Sequence, residues 1–144
     1  MILRALVVLM IAAMAGIAVM LEGLVTQQPP SPKSTRAVET PVVKPGGNFV
    51  IHNGLTTTTS CSALIYRSIF DASGTRIFAD SEYRPGSGTL GENRSAEIRT
   101  FLIPYYAAPG RAEYNVVVEW QCNFIQRLWP QVRELPDLYF EIRP

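Results

Sequence analysis

From residue 5 to residue 21 the chain carries no polar side chain. Extended through Glu22 to Val25, the run has twenty-one residues. As a helix it spans roughly 30 Å, the hydrocarbon thickness of a bilayer. A helix of that length in a water-soluble core needs a polar stripe for its outer face, and this run has none. Residues 1–25 are therefore expected to form a transmembrane signal anchor, with the lipid bilayer as the partner of residues 5–25. A cleaved signal peptide is the competing reading, since Ala13-Met14-Ala15 offers small residues for processing. A cut there leaves the apolar residues 16–21 at the new N-terminus of a secreted binding domain, so the anchor is preferred. No cysteine stands directly after the run, which argues against a lipid anchor.

Residues 26–37 (TQQPPSPKSTRA) read as a linker. Prolines at 29, 30 and 32 favour extended polyproline II at about 3 Å per residue, a spacer expected to hold the domain a few tens of ångströms off the membrane. A docking motif is the sharper alternative for the same PPSP. Arg4 and the amino group precede the apolar run, while Lys33 and Arg36 follow it at a distance, so charge alone orients it weakly.

The remaining residues, 38–144, hold ten basic and eleven acidic side chains, a net of −1 with the signs interspersed. A nucleic-acid partner needs a clustered basic face, and none is expected here. After residue 37 no stretch repeats apolar residues at helical spacing for three turns, whereas strand patterns recur. The clearest covers residues 114–124. Tyr114, Val116, Val118, Trp120, Cys122 and Phe124 alternate there with Asn115, Val117, Glu119, Gln121 and Asn123. Period-two alternation over eleven residues marks a half-buried strand with the even positions inward. Further strands are expected at 38–43, 48–53, 59–70, 75–83, 95–103 and 137–143. They are separated by Pro45-Gly46-Gly47, by the Asp71-Ala72-Ser73-Gly74 hairpin turn, and by a corner containing Pro104, Pro109 and Gly110. The expectation is an all-β fold: a seven-stranded antiparallel β-sandwich preceded by one N-terminal transmembrane helix.

In strand count, in Cys61 on an early strand and Cys122 on the penultimate one, and in Tyr114 after Pro109-Gly110, residues 38–144 resemble the immunoglobulin-like and fibronectin type III-like superfamily. The resemblance is to a fold and assigns no function. It makes Tyr114 look like a tyrosine corner, although the gap to Cys122 is eight residues rather than two, and Trp120 shares the strand of Cys122. Cys122 is inward by alternation, and Cys61 could face it from the opposite sheet. That phase turns Arg67 inward, which calls for a bulge or strand end near it. A Cys61–Cys122 bridge would close a loop of some sixty residues, worth about 4 kcal/mol by chain entropy. It would also place the domain outside the cytosol. Two buried free thiols in a cytosolic domain are the alternative.

Other motifs invite plainer readings. Gly86-Ser87-Gly88-Thr89-Leu90-Gly91 matches GxGxxG, but residues 95–103 read as a strand, so no βαβ unit follows and a loop is expected. His52, the single histidine, sits beside Asn53-Gly54 without metal or triad partners and reads as a strand-end or surface residue. Asp80 and Glu82 share one strand face, expected to be exposed. Asp71 should cap its turn, residues 56–60 form a polar entry to a strand, and Asn93-Arg94-Ser95 is a sequon relevant only in a eukaryotic host. No catalytic, cofactor or metal site is expected, and no enzyme.

Recognition, if the domain has it, falls to Tyr105, Tyr106, Arg127, Trp129 and Arg133, all expected in inter-strand segments. Tyr, Trp and Arg combine large contact area with a polar handle, and residues 125–136 (IQRLWPQVRELP) are long for a connection. Leu128 and Trp129 could instead fold back and plug the end of the sandwich. The expected function is a membrane-tethered, extracytoplasmic, non-catalytic binding module. It would sit in a bacterial inner membrane, with the N-terminus cytoplasmic and the domain periplasmic, meeting a protein partner there or at the cell surface. The alternative is a structural subunit of an envelope-spanning assembly, its helix packing through Ala12, Ala13, Ala15 and Gly16.

Overall fold

The computed structural model describes residues 2–26, 33–57, 61–86 and 93–144. The apolar run forms α1, Ile2–Thr26. No side chain from Arg4 to Thr26 is buried against the rest of the protein. Among the described residues, α1 is the one helix long and apolar enough to cross a membrane.

Eight strands are described: β1 (Lys33–Val38), β2 (Val42–Val43), β3 (Asn48–Thr57), β4 (Ser62–Phe70), β5 (Arg76–Arg84), β6 (Asn93–Leu102), β7 (Gly110–Gln121) and β8 (Gln131–Ile142). They form two sheets, ordered β1-β3-β6 and β2-β8-β7-β4-β5. The expectation of seven antiparallel strands needs two corrections. The strand expected at 38–43 is broken, and β2 pairs with β8 in parallel. Pro41 explains the break, because it offers no N–H to a ladder. Just before it, the N–H of Glu39 still donates to the Val50 carbonyl (3.0 Å). Beyond it, the Pro41 and Val43 carbonyls accept from Glu141 and Arg143 (2.9 and 3.0 Å). The chain thus passes from one sheet to the other within three residues.

A third correction concerns the N-terminal boundary. Lys33 to Val38 pairs with β3, so strand begins within the stretch read as linker. Residues 27–32, including the PPSP string, lie outside the described residues, as do 58–60 of the polar entry.

The inner faces of both sheets share one core. From the three-stranded sheet come Phe49, Ile51 and Phe101; from the other come Ile65, Ile69, Tyr114, Val116, Val118 and Phe140. The Phe49 ring stacks on Phe140 at 3.9 Å between centroids, and Phe101 meets Phe78 edge-on at 4.8 Å. Aromatic contacts across the gap contribute beyond the area they bury. Tyr114, Val116, Val118 and Trp120 point inward as the alternation requires. Phe124 does not. β7 ends at Gln121, and the Asn123 carboxamide oxygen accepts from the N–H groups of Ile125 and Gln126 (3.1 and 3.0 Å). That turn ends the alternation and leaves Phe124 exposed.

Tyr114 is fully buried and is no tyrosine corner: among the described residues its hydroxyl finds no backbone acceptor, and its polar neighbour is Arg67. Cys61 and Cys122 are joined in a disulfide, but not across the sheets. β4 and β7 are neighbours in one sheet, with Ser62 opposite Gln121, and the cysteines form the next pair outward. Their Cα atoms are 4.2 Å apart, the close approach of a cross-strand pair. The bridge staples two adjacent strands at their end. Arg67 is inward as its phase demands, 4% exposed, yet the register runs through it unbroken, and the irregularity in β4 falls at Ile69/Phe70. Ion pairs rather than a bulge accommodate it.

Candidate interaction surfaces

The ion pairs around Arg67 reach across both sheets. Arg67 donates to Glu82 (2.7 Å) and Asp80 (3.4 Å), both on β5. Glu82 also accepts from Arg84 (2.8 Å) and Arg99, and Glu97 accepts from Arg84 and Arg99 (2.7 Å each). Arg99 and Glu97 belong to β6, so this network ties the β5 edge of one sheet to the β6 edge of the other. Burial pushes the Glu82 carboxyl up, but Arg84 and Arg67 outweigh it and hold it down at about 2. Asp80 and Glu82 are therefore not an idle exposed pair. A carboxylate held at about 2 is a poor proton carrier near neutral pH, so Glu82 is structural.

His52 lies within β3, exposed, with its Nε2 2.7 Å from Glu39 Oε2. No group of three His, Cys, Asp or Glu among the described residues could hold a metal ion. Of the GxGxxG string only Gly86 is described; residues 87–91 lie outside. Asn93, Arg94 and Ser95 open β6, paired along the backbone with Thr57, Thr56 and Leu55.

The five recognition candidates separate into three places. Tyr105 and Tyr106 occupy the β6–β7 connection, 85% and 75% exposed. Backbone bonds brace its start: Gly46 N–H donates to the Ile103 carbonyl (2.8 Å), and Ile103 N–H to that of Gly47 (2.9 Å). The Tyr105 ring lies over Gly46, where φ is +79° and a Cβ would strike the ring. Asp71 braces the far side. It caps its own turn, accepting from Ser73 N–H (3.0 Å), Ser73 Oγ (2.6 Å) and Thr75 N–H (3.1 Å), and its second oxygen takes Ala108 N–H at 2.9 Å. Burial raises its pKa, but the bonds from Ser73, Ala108 and Thr75 prevail and hold it below the ordinary carboxylate range. The two tyrosines thus stand on a braced platform.

Arg127 and Trp129 lie at the opposite end of β7, in its connection to β8. The twelve residues of β7 separate the two places by about 35–40 Å at the usual strand rise. Arg133 belongs to neither. It sits on β8, opposite Val118, because pairing with β7 resumes at Gln131. The connection expected over 125–136 is shorter for this reason. Pro136 does not end the strand: Tyr114 faces Leu138 and Val116 faces Leu135, so Pro136 and Asp137 together oppose Asn115 in a bulge. Asn115 Nδ2 bridges to Asp137 Oδ1 (3.0 Å).

Leu128 and Trp129 do not plug the sheets' end; they are 76% and 73% exposed, and Phe124 beside them 68%. The amide of Gln126 points inward instead, while Arg127 stays exposed. Gln126 is fully buried, and its Oε1 accepts Cys122 N–H at 2.9 Å. Three amides reach α1. Asn123 Nδ2 and Gln126 Nε2 donate to the Leu24 carbonyl (2.9 and 3.5 Å), and Gln131 Nε2 donates to that of Val25 (3.1 Å). The domain therefore touches the end of α1 rather than standing a linker's length away. Composition held one signal for this turn: residues 122–131 contain no acidic side chain.

No family model matches the chain, and no curated protein matches it. Among solved structures it is similar to the Pseudomonas fluorescens alkylpurine DNA glycosylase AlkC bound to DNA containing an abasic site analog. Identity is 17% and the TM-score 0.45, covering 76% of this chain and 29% of that one. It is also similar to a Pyrococcus furiosus CARDB domain in complex with di-metal ions (11%, TM-score 0.43, 83% and 96%). A third is Spo0M, a sporulation control protein of Bacillus subtilis (10%, TM-score 0.43, 79% and 50%). The chain spans less than a third of the glycosylase's length.

Proposed function

We propose that this protein is a membrane-tethered, non-catalytic binding module. Its two sheets form an immunoglobulin-like sandwich. α1 spans a bacterial inner membrane with the N-terminus in the cytoplasm, and the sandwich stands in the periplasm. The observation that carries the reading is the position of Tyr105 and Tyr106, exposed on a braced connection at the end of β7 away from the contact with α1. Rigid exposed tyrosines offer large contact area at little cost in side-chain entropy, which suits them as anchors for a protein partner. The Cys61–Cys122 bridge supports an oxidising compartment.

The test is photo-crosslinking in intact cells, with a benzophenone amino acid in place of the exposed Leu102, three residues before Tyr105, in the full-length protein. One partner should be recovered, and Tyr105→Ala/Tyr106→Ala should weaken its capture, as losing an anchor worth about 2 kcal/mol would. Unchanged capture by a correctly folded double variant would remove the tyrosines from the binding surface.

A further inference from the structure

The β7–β8 turn exposes three large apolar side chains, Phe124, Leu128 and Trp129, around Arg127, while turning the amide of Gln126 inside. A water-facing turn has the opposite arrangement. Its position accounts for the inversion. The last carbonyls of a helix have no partner within the helix, and those of Leu24 and Val25 accept from Asn123, Gln126 and Gln131. Leu24 and Val25 close the apolar run, so if α1 spans the bilayer they lie where hydrocarbon gives way to headgroups. A turn hydrogen-bonded to them lies at the same depth.

We propose that the turn from Asn123 to Pro130 is a membrane-seating foot. Phe124, Leu128 and Trp129 dip into the headgroup and upper acyl region of the leaflet from which α1 emerges, and the partner is the lipid surface itself. Tryptophan concentrates at that depth because its ring is apolar and its N–H polar. Arg127, exposed between the apolar residues, can lay its stem along the acyl boundary and present its guanidinium to lipid phosphates. No acidic residue in 122–131 opposes anionic headgroups. Seating the domain by this end would fix the tyrosine platform at the far end of β7, facing away from the membrane. The foot rests on the reading of α1 as a transmembrane helix.

The experiment reconstitutes the full chain in vesicles of phosphatidylethanolamine and phosphatidylglycerol, with or without lipids brominated near the glycerol end of the acyl chain. The protein has two tryptophans, and Trp120 is buried, so Trp129→Phe isolates the signal of the foot. The expected result is loss of emission in brominated vesicles, absent in Trp129→Phe, with Trp129 shielded from aqueous acrylamide. Phe124→Ser/Leu128→Ser should shift Trp129 emission to the red and restore acrylamide quenching, while emission from Trp120 reports an intact core. Trp129 quenched by acrylamide and untouched by brominated lipid, in protein that floats with the vesicles and resists carbonate extraction, overturns the foot but leaves the anchor standing. Protein that fails to float overturns both.

Discussion

Two side chains break the alternation rule for opposite reasons. Arg67 occupies an inward position that apolar packing would fill, and it remains because Glu82 and Asp80 neutralise it. Phe124 occupies what would be the next inward position of β7, yet the turn at Asn123 exposes it. The Arg67 site gives a pH prediction with a definite sign. The Glu82 carboxyl is held at about 2 against an ordinary 4.5, so its pairing stabilises the fold fully above the ordinary value and is lost as pH falls toward 2. Glu82→Gln should lower stability at pH 7 by leaving Arg67 with Asp80 alone. The gap from wild type, read by urea denaturation, should narrow steadily between pH 4.5 and 2. A gap constant over that window would mean that the ion pair is not what holds Glu82 ionised.

Among the elements, β7 organises the rest: it pairs with both β4 and β8, and its two connections carry the two candidate surfaces. The disulfide fixes β7 to β4 where both strands end beside the foot. The bridged residues are sixty-one apart in sequence, so reduction should cost about 4 kcal/mol through the loop entropy restored to the unfolded chain. Thermal melts of the full chain in detergent, with and without reductant, measure this. A domain of about a hundred residues should lose on the order of 15 °C. An unchanged melting temperature would show that the β4–β7 ladder needs no staple.

For the molecule as a whole, the apolar helix, the stapled sheets and the amides binding the end of α1 define an axis. One end is held at α1, and the other presents Tyr105 and Tyr106. The topology in our proposal makes a prediction at this scale. In intact cells a membrane-impermeant protease should spare the domain until the outer barrier is opened, then digest it. Cys61 and Cys122 should resist alkylation unless first reduced. Digestion only after the inner membrane is broken, with both thiols freely alkylated, would place the domain on the cytoplasmic side.

Patterns that depend on neighbours along the chain were legible without coordinates. The apolar run gives α1 because its length and lack of polar groups admit few other solutions. Residues 114–120 give a strand because period two is a property of the backbone, and Asp71 caps its turn through bonds to Ser73 and Thr75, two and four residues away. Whatever depended on partners distant in sequence required the tertiary structure. Pro41 could have ended a strand or moved the chain between sheets, and pairing with β3 and β8 decided it. Cys61 could have met Cys122 across the core or along an edge, and the adjacency of β4 and β7 decided that. Tyr106 and Trp129 looked like members of one recognition set because composition is blind to direction. Only the run of β7 between them shows that they face opposite ways.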